Sequence, residues 1–384
     1  MRTVVLSAFN VANFPEGGGH FWVYMQYALG LRQCGCEVYW LERFITGDDA
    51  SRDAATITAF LERLAGFGLK DHVILLAGPD PKKVPGSTTE VRGLAAAEAE
   101  AVFRRADLLL NFHYAIDPEL LGRFRRTALV DIDPGLLQFW ISRKQLSVPS
   151  HDVYFTTGET VGEPNARFLD CGLPWVKIRP AVCLERWPYS FDPSRASLTT
   201  VSAWDGGDWV VDGGDAYENT KRMSFLRFKE LPTLIDQPLE LALFLRTAAD
   251  AEDRGLMERH GWRIRHSREV AGSPERYQAY IRDSRGEFSC AKPSCIKFQN
   301  AWVSDRTLCY LASGKPVVVQ DTGPSRYLPN GEGMFRFSTL DQAAAAVAAI
   351  NADYARHSRA ARSIAETYFD AKQVVGRILE IAAG

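Results

Sequence analysis

The chain has 384 residues, 46% of them hydrophobic and 24% charged, which is enough apolar material for two domains that each bury a core. Lysine and arginine number 45 and the acidic residues 47, so the net charge of −2 excludes the basic surface of a general nucleic-acid-binding protein. The seven cysteines show no zinc spacing, and no apolar run resembles a signal peptide or approaches the ~18 residues of a membrane span. We therefore expect a cytoplasmic protein with no nucleic-acid partner and no transmembrane segment, which leaves contact with a membrane surface open.

Short apolar runs alternate with helical patterns along the first half of the chain. The predicted strands are Thr3–Phe9, Glu37–Leu41, Val73–Ala77, Leu108–Phe112, Ala128–Ile132, Asp152–Thr156 and Val176–Ile178. The predicted helices are His20–Cys34, Ile57–Phe67 and Leu94–Arg105. This alternation is typical of βαβ units around a parallel sheet that is covered on both faces.

From Pro180 to Leu198 prolines interrupt the periodicity, and we interpret this stretch as a linker. A second alternation follows. Its predicted strands are Thr199–Ala203, Leu239–Leu245, Trp262–Ile264, Glu287–Ser289 and Pro316–Gln320, and its predicted helices are Met223–Lys229, Glu252–His260, Pro274–Asp283, Trp302–Ser313, Leu340–Ala365 and Ala371–Ala382. The sequence thus predicts an α/β fold with two Rossmann-like domains, residues 1–185 and 195–384, that face each other across a cleft.

Three consecutive glycines, Gly17, Gly18 and Gly19, stand in the first predicted strand-to-helix turn, directly before His20. A backbone without side chains can approach a ligand closely, and the N-terminus of the following helix favours an anion. We predict that this loop binds phosphate or the acceptor, and that His20 orients or deprotonates a hydroxyl. The alternatives are a flexible turn and an ordinary histidine at a helix start.

Two acidic residues, Asp131 and Asp133, lie at the end of the predicted strand Ala128–Ile132. Residues two apart on a strand share a face, so this spacing is compatible with a metal–diphosphate site, although Asp before Pro-Gly is also a common turn start. We keep Asp133 as a candidate catalytic residue in the cleft, and we predict no bound metal and no cofactor. His113 is a further loop candidate without an identified partner.

The densest group of polar residues lies around the predicted helix Trp302–Ser313. A helix N-terminus beside lysine and arginine can hold a diphosphate, and an acidic residue there can accept hydrogen bonds from ribose hydroxyls. The predicted donor-binding residues are Lys292, Ser304, Asp305, Arg306, Thr307, Thr322 and Gly323. The alternative is that Ser304 and Asp305 only cap the helix and that Arg306 is a solvated charge.

The stretch Tyr310–Val318, in which a helix ends in Ala-x-Gly before Pro-Val-Val, resembles a segment of the two-Rossmann-domain (GT-B) glycosyltransferases. The step Phe337–Asp341 and the loop Gly17–His20 resemble that family too, and the chain looks like a divergent bacterial branch of it. The resemblance implies an acceptor-binding N-terminal domain, a C-terminal domain that binds a nucleotide sugar, and a last helix that crosses back to the first domain. It also implies a hexosyltransferase-like, metal-independent transfer to an acceptor hydroxyl, with His20 or Asp133 as the base if the reaction inverts.

The sequence departs from the Glu-x7-Glu element that many retaining members carry, because Ala301 and Cys309 stand where the glutamates are expected. Two alternatives therefore stay open. One is a nucleotide-sugar epimerase of the same fold, and the other is a non-catalytic protein that binds a nucleotide or a sugar. Four aromatic residues are candidates for the wall of the cleft, or equally for the core or surface: Trp204, Trp209, Tyr217 and Trp262.

Overall fold

The structure, a computed structural model, describes residues 1–81, 83, 84, 88–204, 209–212, 214–245 and 248–383. Its first half alternates strands with helices. The elements are β1 (Thr3–Ser7), α1 (Gly18–Gln33), β2 (Glu37–Ile45), α2 (Ala50–Gly66), β3 (Val73–Gly78), β4 (Glu90–Gly93), α3 (Ala96–Arg105), β5 (Leu108–Asn111), α4 (Pro118–Leu121), β6 (Thr127–Asp131), α5 (Leu136–Ser142), β7 (Val153–Thr156) and β8 (Trp175–Lys177). These strands form one sheet in the order β4-β3-β2-β1-β5-β6-β7-β8, in which only the β3–β4 pair is antiparallel.

The second half builds another sheet. The elements are β9 (Leu198–Ala203), β10 (Trp209–Asp212), β11 (Asp215–Glu218), α6 (Lys221–Arg227), β12 (Leu239–Phe244), α7 (Ala248–Arg259), β13 (Arg263–His266), α8 (Ser267–Ala271), α9 (Pro274–Arg282), β14 (Gly286–Ser289), α10 (Pro293–Phe298), α11 (Asp305–Ala312), β15 (Val317–Gln320), β16 (Met334–Phe337), α12 (Leu340–Ala352), α13 (Tyr354–Tyr368) and α14 (Ala371–Ala382). Six of the strands are parallel in the order β13-β12-β9-β14-β15-β16, and β10 and β11 form a separate antiparallel hairpin.

The last helix returns to the first sheet's side of the molecule, as the resemblance implied. Helix α14 packs along α1, and a side chain at Gly30 would lie 2.8 Å from the carbonyl oxygen of Ala371. Each sheet and the helices on it form one unit, the first and the second in chain order. Two chain segments join these units, and they pair with each other: Val182 N donates to Phe369 O at 2.8 Å, and Ala371 N donates to Val182 O at 2.9 Å. The two units are therefore connected at one side by two adjacent segments of the chain.

An apolar interface continues from one unit into the other. Trp22 of α1 donates its indole N–H to the carbonyl oxygen of Pro274 in α9 at 3.0 Å. The ring of Trp22 packs edge-on against that of Trp187, which in turn meets Tyr277 of α9. All three rings are buried, so this part of the seam between the units is closed to solvent.

The structure differs from the sequence prediction in several elements. Strands β4 and β16, the hairpin of β10 and β11, and the short helices α4, α5, α8 and α10 were not predicted. The single helix predicted over Leu340–Ala365 is two helices, because Asp353 leaves the helical conformation and its carboxylate caps α13 at the backbone N–H of Arg356. In the described part of the chain, no helix has the length and apolar character needed to cross a bilayer.

Candidate functional site between the two sheets

The candidate site lies where the carboxyl ends of the two sheets face each other. In each sheet the chain starts in the middle and later continues on the other side, which creates a switch point between β1 and β5 and another between β9 and β14. Open α/β sheets bind ligands in the crevice at such points. The charge of Asp133, after β6, influences the pKa of both His20 and Asp305, so these three residues from the two units share one crevice.

The glycine run has a packing reason that the sequence did not reveal. A Cβ at Gly18 would lie 2.4 Å from the carbonyl oxygen of Ser273 and 2.5 Å from that of Ala271, in the turn between α8 and α9. A Cβ at Gly19 would lie 2.7 Å from the ring of Tyr277. These glycines let α1 approach the second unit, so the structure places Gly18 and Gly19 in the contact between the units, and phosphate or acceptor binding by the loop stays a prediction.

His20, in the first turn of α1, is half-buried, and the tautomer of its imidazole ring is fixed by a hydrogen bond. Its Nε2 lies 2.8 Å from the carbonyl oxygen of Phe9, which can only accept a hydrogen bond, so Nε2 carries the proton. Burial lowers the pKa of His20, and the Phe9 hydrogen bond and the charge of Asp133 oppose this only in part. The ring is therefore neutral near pH 7, with the lone pair on Nδ1 available to accept a proton.

The two aspartates after β6 have different surroundings. Asp131 is fully buried, and its carboxylate accepts from Gln138 at 2.8 Å and from Thr156 at 2.7 Å, so it fixes the turn into α5. Burial raises the pKa of Asp131 to about 7. Asp133 is half-buried, and the Tyr114 hydroxyl donates to it at 3.2 Å. Within the described residues, no group of three His, Cys, Asp or Glu side chains suits a metal ion; metal independence stays a prediction.

The guanidinium of Arg306 is occupied by protein groups. Its Nε donates to Glu287 at 2.7 Å, its Nη1 to the carbonyl oxygen of Val201 at 2.9 Å, and its Nη2 to the hydroxyl of Ser289. Both charged side chains are buried, so the alternative of a solvated arginine is wrong. Arg306 borders the crevice, but these hydrogen bonds fix its guanidinium in place. The sequence contained one signal for its partner, a glutamate in the middle of the buried strand β14.

Ser304 and Asp305 stand at the start of α11, and Ser304 lines the crevice. Ser304 is the N-cap residue by position, but its hydroxyl makes no capping hydrogen bond, which removes the purely structural alternative for it. Asp305 is half-buried. Burial raises the pKa of Asp305 to about 7, Asp133 reinforces the effect, and the charges of Lys221 and Arg306 oppose it. The structure therefore brings the carboxylates of Asp305 and Asp133 close to two cations, Lys221 and Arg306.

Lys221, the first residue of α6, belongs to this cluster and was not predicted. The pKa of Lys221 is lowered to about 7, mainly by burial and in addition by the positive charges of Arg306 and Lys292, against the attraction of Glu287. Its ammonium lies 5.6 Å from the centroid of the Trp302 ring. A single lysine at the start of a short helix gives no sequence signal, because its neighbours here come from 66 to 85 positions further along the chain.

A narrow cavity beside this cluster contains several of the predicted donor residues. Its enclosed part measures about 20 Å³, so the bulk of any nucleotide would lie in the open crevice. Ser304, Arg306, Thr307 and Thr322 line it, together with Gln320 and Arg336, which were not predicted. Donor binding by these residues stays a prediction.

Thr322 and Gly323 shape the loop before α11. The Thr322 hydroxyl donates to Trp302 O at 2.7 Å, and the Thr322 carbonyl accepts from Ala301 N at 3.0 Å. Gly323 has φ +126°, and a Cβ there would lie 2.6 Å from the carbonyl oxygen of Gln299. Both residues therefore hold the backbone of residues 299–302 against the cavity.

The other candidate residues divide between crevice and core. His113 has a partner after all, because its ring stacks on Phe9 with centroids 4.8 Å apart, and the Phe9 side chain is 50% exposed. Trp204 and Trp262 are buried in the core of the second unit. Trp209 is exposed, and Tyr217 packs with the apolar cluster that joins the hairpin to α5.

No protein-family model matches the chain, and no curated protein sequence matches it significantly. Solved structures match its fold over its whole length. An α-glucosyltransferase in complex with UDP and a 13-mer DNA containing an HMU base has a TM-score of 0.64 at 12% identity, covering 100% of both chains. Anabaena HepE in complex with UDP and glucose has a TM-score of 0.59 at 12% identity, also covering 100% of both chains. Sucrose-phosphate synthase from Thermosynechococcus elongatus has a TM-score of 0.55 at 12% identity, covering 99% of this chain and 98% of that one.

Proposed function

Because the chain has the GT-B fold, we propose that it is a glycosyltransferase that moves a sugar from a nucleoside-diphosphate donor to an acceptor hydroxyl without a bound metal. One observation carries the proposal: Lys221, Lys292 and Arg306 gather their positive charges in one crevice, opposite His20 and Asp133 of the other unit. Glu287 pairs with Arg306. A diphosphate bound beside these three cations would be stabilised by their positive charges. Two of the three solved structures described above contain UDP, which agrees with this chemistry.

The proposed reaction is a single displacement at the anomeric carbon. The acceptor oxygen forms a bond to that carbon while the bond to the β-phosphate oxygen breaks, which inverts the configuration. The acceptor proton passes to Nδ1 of His20, the nitrogen that the Phe9 hydrogen bond leaves unprotonated. The charge of Asp133 stabilises the imidazolium that forms.

The leaving diphosphate is stabilised by the protein's own cations. Lys221 and Lys292 provide ammonium groups where negative charge develops, and a lysine with a pKa near 7 regains its full charge when an anion binds beside it. Asp305 accepts hydrogen bonds from the ribose hydroxyls. It would take over the role of the Glu-x7-Glu glutamates, whose positions Ala301 and Cys309 occupy here. Arg306 orients the edge of β14 through Glu287 and Ser289 and borders the donor without giving up its own hydrogen bonds.

The test begins with a thermal-shift panel of nucleoside diphosphates and nucleotide sugars on the full chain. A ligand at about 100 times its dissociation constant should add about 2.7 kcal/mol of stability. We expect one nucleoside diphosphate to stabilise the wild type, and Lys221→Gln to lose most of that stabilisation. Lys229→Gln, at a surface ion pair with Glu230, is the matched control and should behave as the wild type.

Product analysis with and without acceptor hydroxyls then separates the possible functions. Transfer of the sugar to an acceptor supports the proposal. A changed sugar in the absence of any acceptor would identify an epimerase, and tight binding without turnover across acceptors would identify a binding protein. Either of those two results would refute the transferase assignment.

A further inference from the structure

A second cavity lies beside the hinge, where the two chain segments cross between the units. It has a volume of about 380 Å³, within the range of small-molecule sites. Its walls come from residues 177–180 at the start of the linker, from Thr367–Phe369 at the end of α13, from α14, and from Tyr327 and Leu328 of the second unit. Only Ala301, Val303 and Leu328 line both this cavity and the narrow cavity of the proposed donor site, which we call the donor crevice. None of the proposed phosphate-binding cations lines the second cavity.

Three cationic side chains and one carboxylate line this hinge cavity. Lys177 is paired with Glu163. Arg377 of α14 is exposed. The carboxylate belongs to Glu159, which accepts from the Ser325 hydroxyl at 2.5 Å and from a backbone N–H at 3.1 Å. The acid is thus already hydrogen-bonded to the loop that closes the cavity.

The third cation, Arg179, lies against two aromatic rings and is attracted by the charge of Glu159. Its guanidinium carbon lies 4.2 Å from the centroid of the Tyr327 ring and 5.0 Å from that of Tyr368, the last residue of α13. Within the part of the chain that the structure describes, the Arg179 guanidinium donates no hydrogen bond and forms no ion pair. Five N–H donors are therefore fixed in orientation and unused, on a half-buried group in the wall of a cavity.

We propose that the hinge cavity is a second anion-binding site, in which Arg179 binds the oxyanion of a small phosphorylated ligand or free phosphate in bidentate fashion. A planar guanidinium matches two oxygens of a phosphate group, and rings that fix its plane reduce the ordering cost of binding. Arg377 of α14 adds a second positive charge to the lining. Because the lining comes from both units, a bound anion favours the arrangement of the units that keeps Tyr327 and Tyr368 around Arg179. This inference does not depend on the proposed function.

The test is isothermal titration calorimetry of the full chain with inorganic phosphate and, separately, with glycerol 3-phosphate. We expect the wild type to bind at least one of them, and Arg179→Gln to weaken that binding tenfold or more. Arg179→Lys, which keeps the charge but loses the planar fork, should weaken it by a smaller factor. Lys372→Gln removes a positive charge from the same helix α14 outside the cavity, and it should bind as the wild type does.

The outcomes distinguish a phosphate monoester from free phosphate as the ligand, and the hinge cavity from the donor crevice as the site. Tighter binding of glycerol 3-phosphate identifies a phosphate monoester as the ligand, and tighter binding of inorganic phosphate identifies the free ion. Binding that persists in saturating UDP confirms a site apart from the donor crevice. The proposal is overturned if neither anion binds in the millimolar range, if UDP displaces the anion, or if a folded Arg179→Gln protein binds as the wild type does.

Discussion

The Nε of Arg306 donates to Oε1 of Glu287 at 2.7 Å, and the two side chains are 8% and 0% exposed. This pair ties the start of α11 to the middle of the second sheet. A buried ion pair keeps its energy only while both partners are present, since a charge left alone in the interior is not compensated. The arginine that the sequence suggested as a ligand for the donor is thus first of all a structural residue.

Removal of one partner should therefore be costly. Arg306→Met leaves the Glu287 carboxylate buried and unpaired, and we expect it to lower the free energy of unfolding by about 3–5 kcal/mol. Urea denaturation measures the change. The control is Arg123→Met, which breaks an exposed pair with Glu100 and should cost at most about 1 kcal/mol. An equal, small cost in both variants would show that the buried pair is not structural.

The affinity for a nucleoside diphosphate should depend on pH through Lys221. Burial lowers the pKa of this lysine to about 7 in the free protein, and a neighbouring diphosphate raises it, so binding above pH 7 takes up a proton. The affinity should then fall as the pH rises above 7, by up to about tenfold per pH unit. Calorimetric titration with UDP between pH 7 and pH 9 measures the slope, and Lys221→Gln should abolish it. An affinity of the wild type that is constant over this range would contradict the role of Lys221.

His20 should act through its free nitrogen. His20→Gln can still donate to the Phe9 carbonyl but offers no base, so we expect kcat to fall by roughly 10²–10⁴ with little change in stability. Because burial lowers the pKa of His20, the acidic limb of the wild-type kcat/KM profile should lie below pH 6.5. His72→Gln, at a surface histidine bonded to Lys70 O, is the control. Wild-type turnover by His20→Gln would exclude a histidine base.

The glycine run should be sensitive to a single methyl group. In Gly18→Ala the new Cβ would meet two carbonyl oxygens of the second unit, and we expect a loss of about 1–3 kcal/mol, from thermal denaturation, as in other overpacked contacts. Gly66→Ala, at the end of α2 with no atom within 4 Å of the new group, should be neutral or stabilising by up to about 1 kcal/mol. If both variants have the same stability as the wild type, the close approach at Gly18 does not restrict the side chain at this position.

The pattern of the sequence predicted the fold well, because strands and helices depend on neighbours along the chain. The alternation of apolar runs predicted both sheets and placed the site at their carboxyl ends, and His20, Asp133 and Asp305 do come together there. Strand β4 escaped prediction because it is a short edge strand with exposed, charged residues.

What the sequence by itself determined is thus the order of elements, the two-sheet architecture and the edge where polar loops collect. Only the tertiary structure decided which polar groups are free to meet a ligand. It committed Arg306 to Glu287, placed Gly18 against Ser273, brought Lys221 into the crevice and left Arg179 without a polar partner among the described residues. The physical reason is that periodicity is a local property, whereas hydrogen bonding and burial depend on residues that are distant along the chain and are set only when the two units pack together.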